Sequence, residues 1–272
     1  MQQVFLDWTR PALPAASEFL FQSVSNSEIA DLSQTIVVVP GGRAGRRLGE
    51  LLLRHSREAD RCYLAPIITT VGGLPEMLYQ PRFPFANKIV QQLAWTKALQ
   101  ETPKKDLKQL AKDPPTRPDD SQWVELAGML QQQHRELAGD GFGFNDVLRV
   151  GSEMETFDEA DRWQVLADIQ QRYLALLDEL QIWDRQTARL KAIEFNECES
   201  NRDIVLVATA DMNQVMRRIL DQVSDRVTSL VFAPESMRSR FDSYGCLDVE
   251  AWQRSRLKLR DENIVLANNA AG

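Results

Sequence analysis

The sequence predicts an α/β protein: a parallel sheet with flanking helices, interrupted by an all-helical insertion. Three observations carry this. Thr35-Ile-Val-Val-Val39 and Asp203-Ile-Val-Leu-Val207 are continuous aliphatic runs, as in strands buried on both faces of a parallel sheet. Each gives way to a helical pattern of 3.6-residue period. Between them, over 87–195, only helical periodicity is found, and alternating β and α elements split by such a block imply a sheet with an insertion.

Gln3–Asp7 reads as the first strand, and Pro14–Ser23 as the helix after it, with Pro14 suited to the first turn. Thr35–Val39 breaks at Pro40 and Gly41 and becomes a helix over Arg43–Arg57. That helix places Ala44, Leu48, Leu51 and Leu52 on one face, with Arg46, Arg47, Arg54 and Arg57 mainly away from it. Tyr63–Thr69 is a third strand, and Thr70–Tyr79 a turn into a short helix, so the chain opens with three βα units. Helices follow at Lys88–Glu101, Ser121–Ala138, Asn145–Ser152, Phe157–Leu180 and Asp184–Glu194, with Ser121 and Thr156 as capping residues. The prolines of Lys112–Asp120 remove donors and clash with helix geometry, which makes that stretch a loop. Strands return at Ile204–Thr209 and Val227–Ala233, with a helix over Met212–Val223 between them and a last strand at Ile264–Ala267. An end so close to a strand suggests a fragment of a longer protein. The expected organisation is an α/β core over 1–86 and 196–272 and a helical subdomain over 87–195.

Hydrophobic content of 43% and charged content of 26% over 272 residues exclude a disordered chain and leave ample length for a core. No apolar run approaches the roughly 18 residues of a membrane span, and the N-terminus lacks a signal pattern. The expectation is a cytoplasmic protein without a membrane partner. Cys62, Cys198 and Cys246 are odd in number and far apart, which suggests neither a disulfide framework nor a zinc site; they read as reduced, buried thiols. The net charge of −7 argues against a surface that is basic all over. Even so, Arg43, Arg46, Arg47, Arg54, Arg57 and Arg61 crowd one short stretch, as a solvated helix face or as a local groove for nucleic acid.

Chemistry is most conspicuous by its absence. A phosphate loop needs G-x-x-x-x-G-K-[ST], in which the Lys reaches the phosphates and the hydroxyl holds magnesium. Gly41-Gly-Arg-Ala-Gly-Arg-Arg-Leu48 has neither, and the planar fork of Arg does not replace an ammonium. A strand-to-helix turn with exposed N–H groups can still take a backbone phosphate. At the second tip Val207-Ala208 stands where a nucleotide hydrolase carries an acidic pair, and aliphatic side chains cannot ligate magnesium. Asp211 reads as the N-cap of the next helix. His55 and His134 lie on helices without a nucleophile signature and read as surface or packing residues; the tryptophans read as core. The segment 232–252 has acids without ligand spacing and reads as structural.

In this order the pieces resemble the N-terminal helicase-like region of AddB-type proteins, partner subunits of the helicase–nucleases that process double-strand breaks. Asp7-Trp-Thr-Arg-Pro-Ala-Leu-Pro14 lies where a superfamily-one helicase has its nucleotide loop. Ile36–Leu48 is similar to the next segment, which faces single-stranded DNA in active helicases. Pro66-Ile-Ile-Thr-Thr-Val-Gly-Gly-Leu74 looks like the third, whose threonine lies along the same path. Val205–Gln214 parallels the metal-binding strand with its acids lost, and Phe232-Ala-Pro-Glu235 and Phe241–Leu247 follow the next block. The resemblance implies a P-loop helicase type of sheet, no catalytic or metal-binding residue, no cofactor, and a non-catalytic DNA-path and scaffold domain. Its partners would be single-stranded DNA and a helicase–nuclease subunit. The expected DNA-binding residues are Gly41, Gly42, Arg43, Arg46, Arg47, Thr69 and Thr70. Two other readings stay open: an enzyme that binds a nucleotide or phosphorylated small molecule at the carboxyl edge of the sheet, and a pure protein-interaction module.

Overall fold

The computed structural model describes residues 1–24, 29–117 and 120–254. It is α/β, with a five-stranded, wholly parallel sheet in the order β1-β7-β6-β3-β5, flanked by helices on both faces, consistent with a P-loop-like fold. These strands are β1 (Gln2–Phe5), β3 (Thr35–Val39), β5 (Ile67–Thr70), β6 (Asp203–Val207) and β7 (Val227–Val231). A separate parallel pair joins β2 (Ile29–Asp31) to β4 (Cys62–Leu64). The continuous strand expected over Tyr63–Thr69 is thus two strands. Pro66, which has no N–H for a ladder, divides them.

Alternation of side chains explains why the central runs are aliphatic throughout. Ile36, Val38, Ile204 and Leu206 enter one core, which α8 (Arg185–Glu194) and α9 (Gln214–Gln222) cover. Val37, Val39, Val205 and Val207 enter the other, covered by α1 (Ala12–Ser23) and α2 (Gly42–Glu58). Each such buried side chain contributes about 1.5–3 kcal/mol.

From β5 to β6 the chain makes two 3-10 turns, Val71–Gly73 and Pro75–Met77, where a short helix was expected, and then runs through helices. These are α3 (Lys88–Gln100), α4 (Lys104–Leu107), α5 (Gln122–Gly139), α6 (Phe144–Gly151), α7 (Ala160–Glu179) and α8. A third core, centred on Trp95, Phe144 and Tyr173, unites α3, α5, α6 and α7. The helical run is not sealed off from the sheet: Ala188, Ala192 and Ile193 of α8 pack into the first core. Ser121 and Thr156 do not cap: α5 has no side-chain cap, and α7 starts at Ala160, behind Glu159. Cys62 is exposed rather than buried. Burial pushes the Cys198 thiol up to about 11 and Cys246 up to about 12, so neither is a ready nucleophile. The strand expected at Ile264–Ala267 lies outside the described residues. Among the described residues no helix is long and apolar enough to cross a membrane.

The segment after β7 folds over the β1–β7 end of the sheet. Asp242 organises it, accepting from the amides of Tyr244 and Cys246 at 2.9 Å and from Arg217, while Ser229 Oγ of β7 donates to Tyr244 O at 2.6 Å. Leu247 N donates to Ala210 O at 3.0 Å and ties the segment to the tip of β6. A short helix, α10 (Val249–Gln253), closes it, capped by the Asp248 side chain.

Candidate nucleic-acid interface

In an open parallel sheet, ligands collect beyond the carboxyl ends of the strands where the connections change direction. Here that point lies between β3 and β6. The chain leaves β3 through α2 toward β5 on one side, and leaves β6 through α9 toward β7 on the other.

The structure brings the two sequence-predicted segments to adjacent strand tips, since Val38 pairs with Thr69 and Val39 with Thr70. Gly41, in an extended conformation, is the N-cap of α2 and supplies no side-chain cap. The first-turn amides of an α-helix have no intrahelical partner, so those of Gly42, Arg43 and Ala44 are the donors offered here. No acid stands in this first turn. Arg43, Arg46 and Arg47 are exposed. Arg46 folds back over Gly42, its Nη1 3.9 Å from where a Cβ would stand. Arg47 makes a 2.8 Å ion pair with Glu50, of the exposed kind that contributes little. Among the described residues no ion pair engages Arg43 or Arg46. Arg54 and Arg57 lie toward the other end of α2, about 20 Å from Arg43 at 1.5 Å per residue, so the arginine run is no single patch.

Gly45 lies inside α2, not in its leading loop. A Cβ there would stand 3.1 Å from Ile68 Cγ2 and 3.5 Å from Val39 Cγ2, so this glycine serves close packing of helix on sheet. At the neighbouring tip a Cβ on Gly73 would lie 2.7 Å from Thr69 Oγ1, and the bare glycine lets the turn fold onto that half-buried hydroxyl. The turn is anchored by a residue that the sequence reading missed. Arg189 of α8 grips Glu76 with two bonds, at 2.6 and 2.9 Å, and reaches Gly72 O at 3.3 Å. No local signal marks Arg189, which is 117 positions from Gly72.

The other tips are occupied or strained. At β1, the amides of Leu6 and Asp7 donate to Val231 O at 2.9 Å and Ala233 O at 3.1 Å. Trp8 N donates to Asp7 Oδ1, and the indole to Phe232 O at 2.8 Å. Amides engaged in this way cannot wrap a phosphate. At β6, Val207 is fully buried and Ala208 has φ of 48°. Asp211 is exposed and caps nothing: Asn213 is the N-cap, its side chain accepting from Met216 N at 2.9 Å, so the helix begins at Gln214 rather than Met212. Among the described residues five non-glycine positions have positive φ, and Asp60, Gln181 and Asn196 follow helix C-caps, where the left-handed conformation ends a helix. The remaining two, Asp7 and Ala208, both stand at the carboxyl edge. At Ala208 this conformation costs roughly 1–2 kcal/mol, and the buried hydroxyl of neighbouring Thr209 has no hydrogen-bond partner in the structure.

These tips hold donors and cations without the ammonium or acid pair that hydrolysis requires. Incubated with ATP and magnesium, the protein should release no phosphate above a protein-free control; sustained turnover would overturn the non-catalytic reading. No protein-family model matches the chain, and no curated protein matches it either.

Proposed function

We propose that this chain is a non-catalytic helicase-like domain of a double-strand-break repair helicase–nuclease subunit, acting as DNA path and subunit scaffold. The observation that carries the reading is the pairing of two neighbouring strand tips that offer helix amides, threonine hydroxyls and the cations Arg43 and Arg46. They stand beside the point where the connections reverse. Amides, hydroxyls and arginines suit phosphodiester oxygens, the contacts that position a strand without reading its sequence. Single-stranded DNA should therefore bind at Gly41–Arg47 and Thr69–Thr70 without sequence preference.

Fluorescence anisotropy with a labelled oligonucleotide at low salt tests this. Arg43→Ala/Arg46→Ala/Arg47→Ala should weaken binding and flatten the log-log salt dependence by roughly 0.7 for each phosphate that the variant no longer neutralises. Equal affinity in wild type and triple variant would remove this surface from the DNA path. It would favour the reading as a protein-interaction module, for which there is a separate observation. Leu93 and Leu180 are exposed in the lining of a largely apolar groove of about 280 Å³ between α3 and α7, a surface suited to a partner subunit.

A further inference from the structure

A cavity of about 650 Å³ lies where α3, α5 and α8 meet. Ala86 N donates to Trp183 O at 2.8 Å and Trp183 N to Pro84 O at 3.1 Å, a short parallel bridge from which α3 and α8 both depart. Their N-termini therefore open side by side onto the cavity. Asn87 and Asp184 cap them. A helix dipole favours acids in the first turn and disfavours cations there. Yet α3 starts with Lys88 and α8 with Arg185, and neither has an acid in its first turn. Both cations line the cavity with Arg135 and Arg189, and no Asp or Glu lines it. In a chain with seven more acids than bases, three cations around one hollow that no ion pair engages among the described residues, Lys88, Arg135 and Arg185, are a marked local reversal; the fourth, Arg189, is held by Glu76.

We propose that this cavity binds a nucleoside phosphate without the help of a metal. Helix amides and cations supply the phosphate recognition. The remaining polar groups are amides, which read a base or sugar. Gln131 Nε2 donates to Gln91 Oε1 at 2.8 Å, and Gln91 Nε2 donates to Ala86 O at 2.7 Å, which fixes both side chains and leaves Gln131 Oε1 as an acceptor. Asn87 uses its oxygen as a cap, accepting from Val90 N at 3.0 Å, and keeps its Nδ2 donors. The volume falls within the roughly 300–1,000 Å³ of small-ligand sites. Magnesium demands oxygen ligands, usually carboxylates, and none lines the hollow, so the anion is neutralised by side chains alone. The site adjoins the strand tip assigned to DNA through Arg189, which anchors the turn at Gly72, but Lys88, Arg135 and Arg185 take no part in that tip and the proposal does not rest on its assignment.

Isothermal titration with ADP in EDTA and low salt is the test, with Lys88→Glu and Arg185→Glu as the variants. Both substitutions put an acid at a first helical position, where the dipole favours it, so the melting temperature should hold or rise. Affinity should fall by at least about tenfold in each. Adenosine should give no heat, and pyrophosphate should bind more weakly than ADP. Absence of heat with the wild type, or unchanged affinity in both variants, overturns the proposal. Pyrophosphate as tight as ADP overturns its nucleoside part. A labelled single strand that loses affinity in the two variants, with ADP silent, assigns the cavity to nucleic acid instead and overturns it too.

Discussion

Asp184→Ala should lower stability by about 3–5 kcal/mol, because three buried donors, the Tyr173 hydroxyl, the Thr187 amide and the His134 N–H, lose their acceptor at about 1–3 kcal/mol each. For a chain of this size that is a fall of roughly 6–20 °C in melting temperature. Asp184 is fully buried at the N-cap of α8. Its carboxylate accepts from Tyr173 OH at 2.7 Å and Thr187 N at 2.7 Å, and pairs with His134 Nε2 at 3.1 Å. The imidazole tautomer follows from its other neighbour. Phe144 N is only a donor, so at 2.9 Å it must face Gln170 Oε1, which turns Gln170 Nε2 toward His134 Nδ1 at 2.8 Å. Nδ1 accepts, and the proton stands on Nε2 toward Asp184. The network joins α5, α7 and α8, and Trp95 of α3 stacks on Tyr173 with ring centroids 4.1 Å apart.

Burial works against the Asp184 charge, but the bonds from His134, Thr187 and Tyr173 outweigh it and hold its carboxyl below the ordinary 3.8. A depressed acid stabilises the fold fully above its unfolded value, and that contribution is lost as pH falls through the folded one. The difference in stability between wild type and Asp184→Asn should therefore be constant above pH about 5 and shrink as pH falls below 3.8. A gap that widens on acidification, or an Asp184→Ala protein as stable as wild type, would show that the network does not hold the helices together.

Gly245→Ala should be nearly as damaging, at about 2–6 kcal/mol, the sum of left-handed strain and overpacking. Gly245 has φ of 80°, and a Cβ would stand 2.2 Å from Ser229 Oγ and 2.8 Å from Val231 Cγ2. Both belong to β7, an interior strand that cannot retreat. Urea unfolding should show the loss as a lower midpoint at unchanged slope. Adding Ser229→Ala, which removes the nearest atom, should recover part of it. A Gly245→Ala midpoint within error of wild type would mean that the segment after β7 is not seated on the sheet as described.

The strands β3 and β6 were legible in the sequence because both their faces are buried, so every position must be aliphatic and the run stands out without a partner. The helices α3 and α5 to α8 were legible through their period, while α4, a four-residue turn too short to show one, and the caps were not. Thr156 and Asp211 have capping chemistry, but a cap also requires the chain to turn at that residue, and tertiary contacts place those turns at Glu159 and Asn213. The absence of a Lys and an acid pair is a property of composition at two motifs and needs no coordinates. Their adjacency does. That Val39 lies beside Thr70 is set by a parallel register whose strands are joined through α2. The role of Gly45 depends on Ile68 beneath it, and the grip of Arg189 on Glu76 links positions 113 apart. His134 reads in sequence as one more helical polar residue; only the packing of α5, α7 and α8 closes it into a network with Asp184, Tyr173 and Gln170. Periodicity records which face of an element is buried, so the sequence by itself determined the class of fold and the missing chemistry. Which elements meet across that buried face depends on the shapes and charges of residues far apart in the chain, and that only the tertiary structure decided.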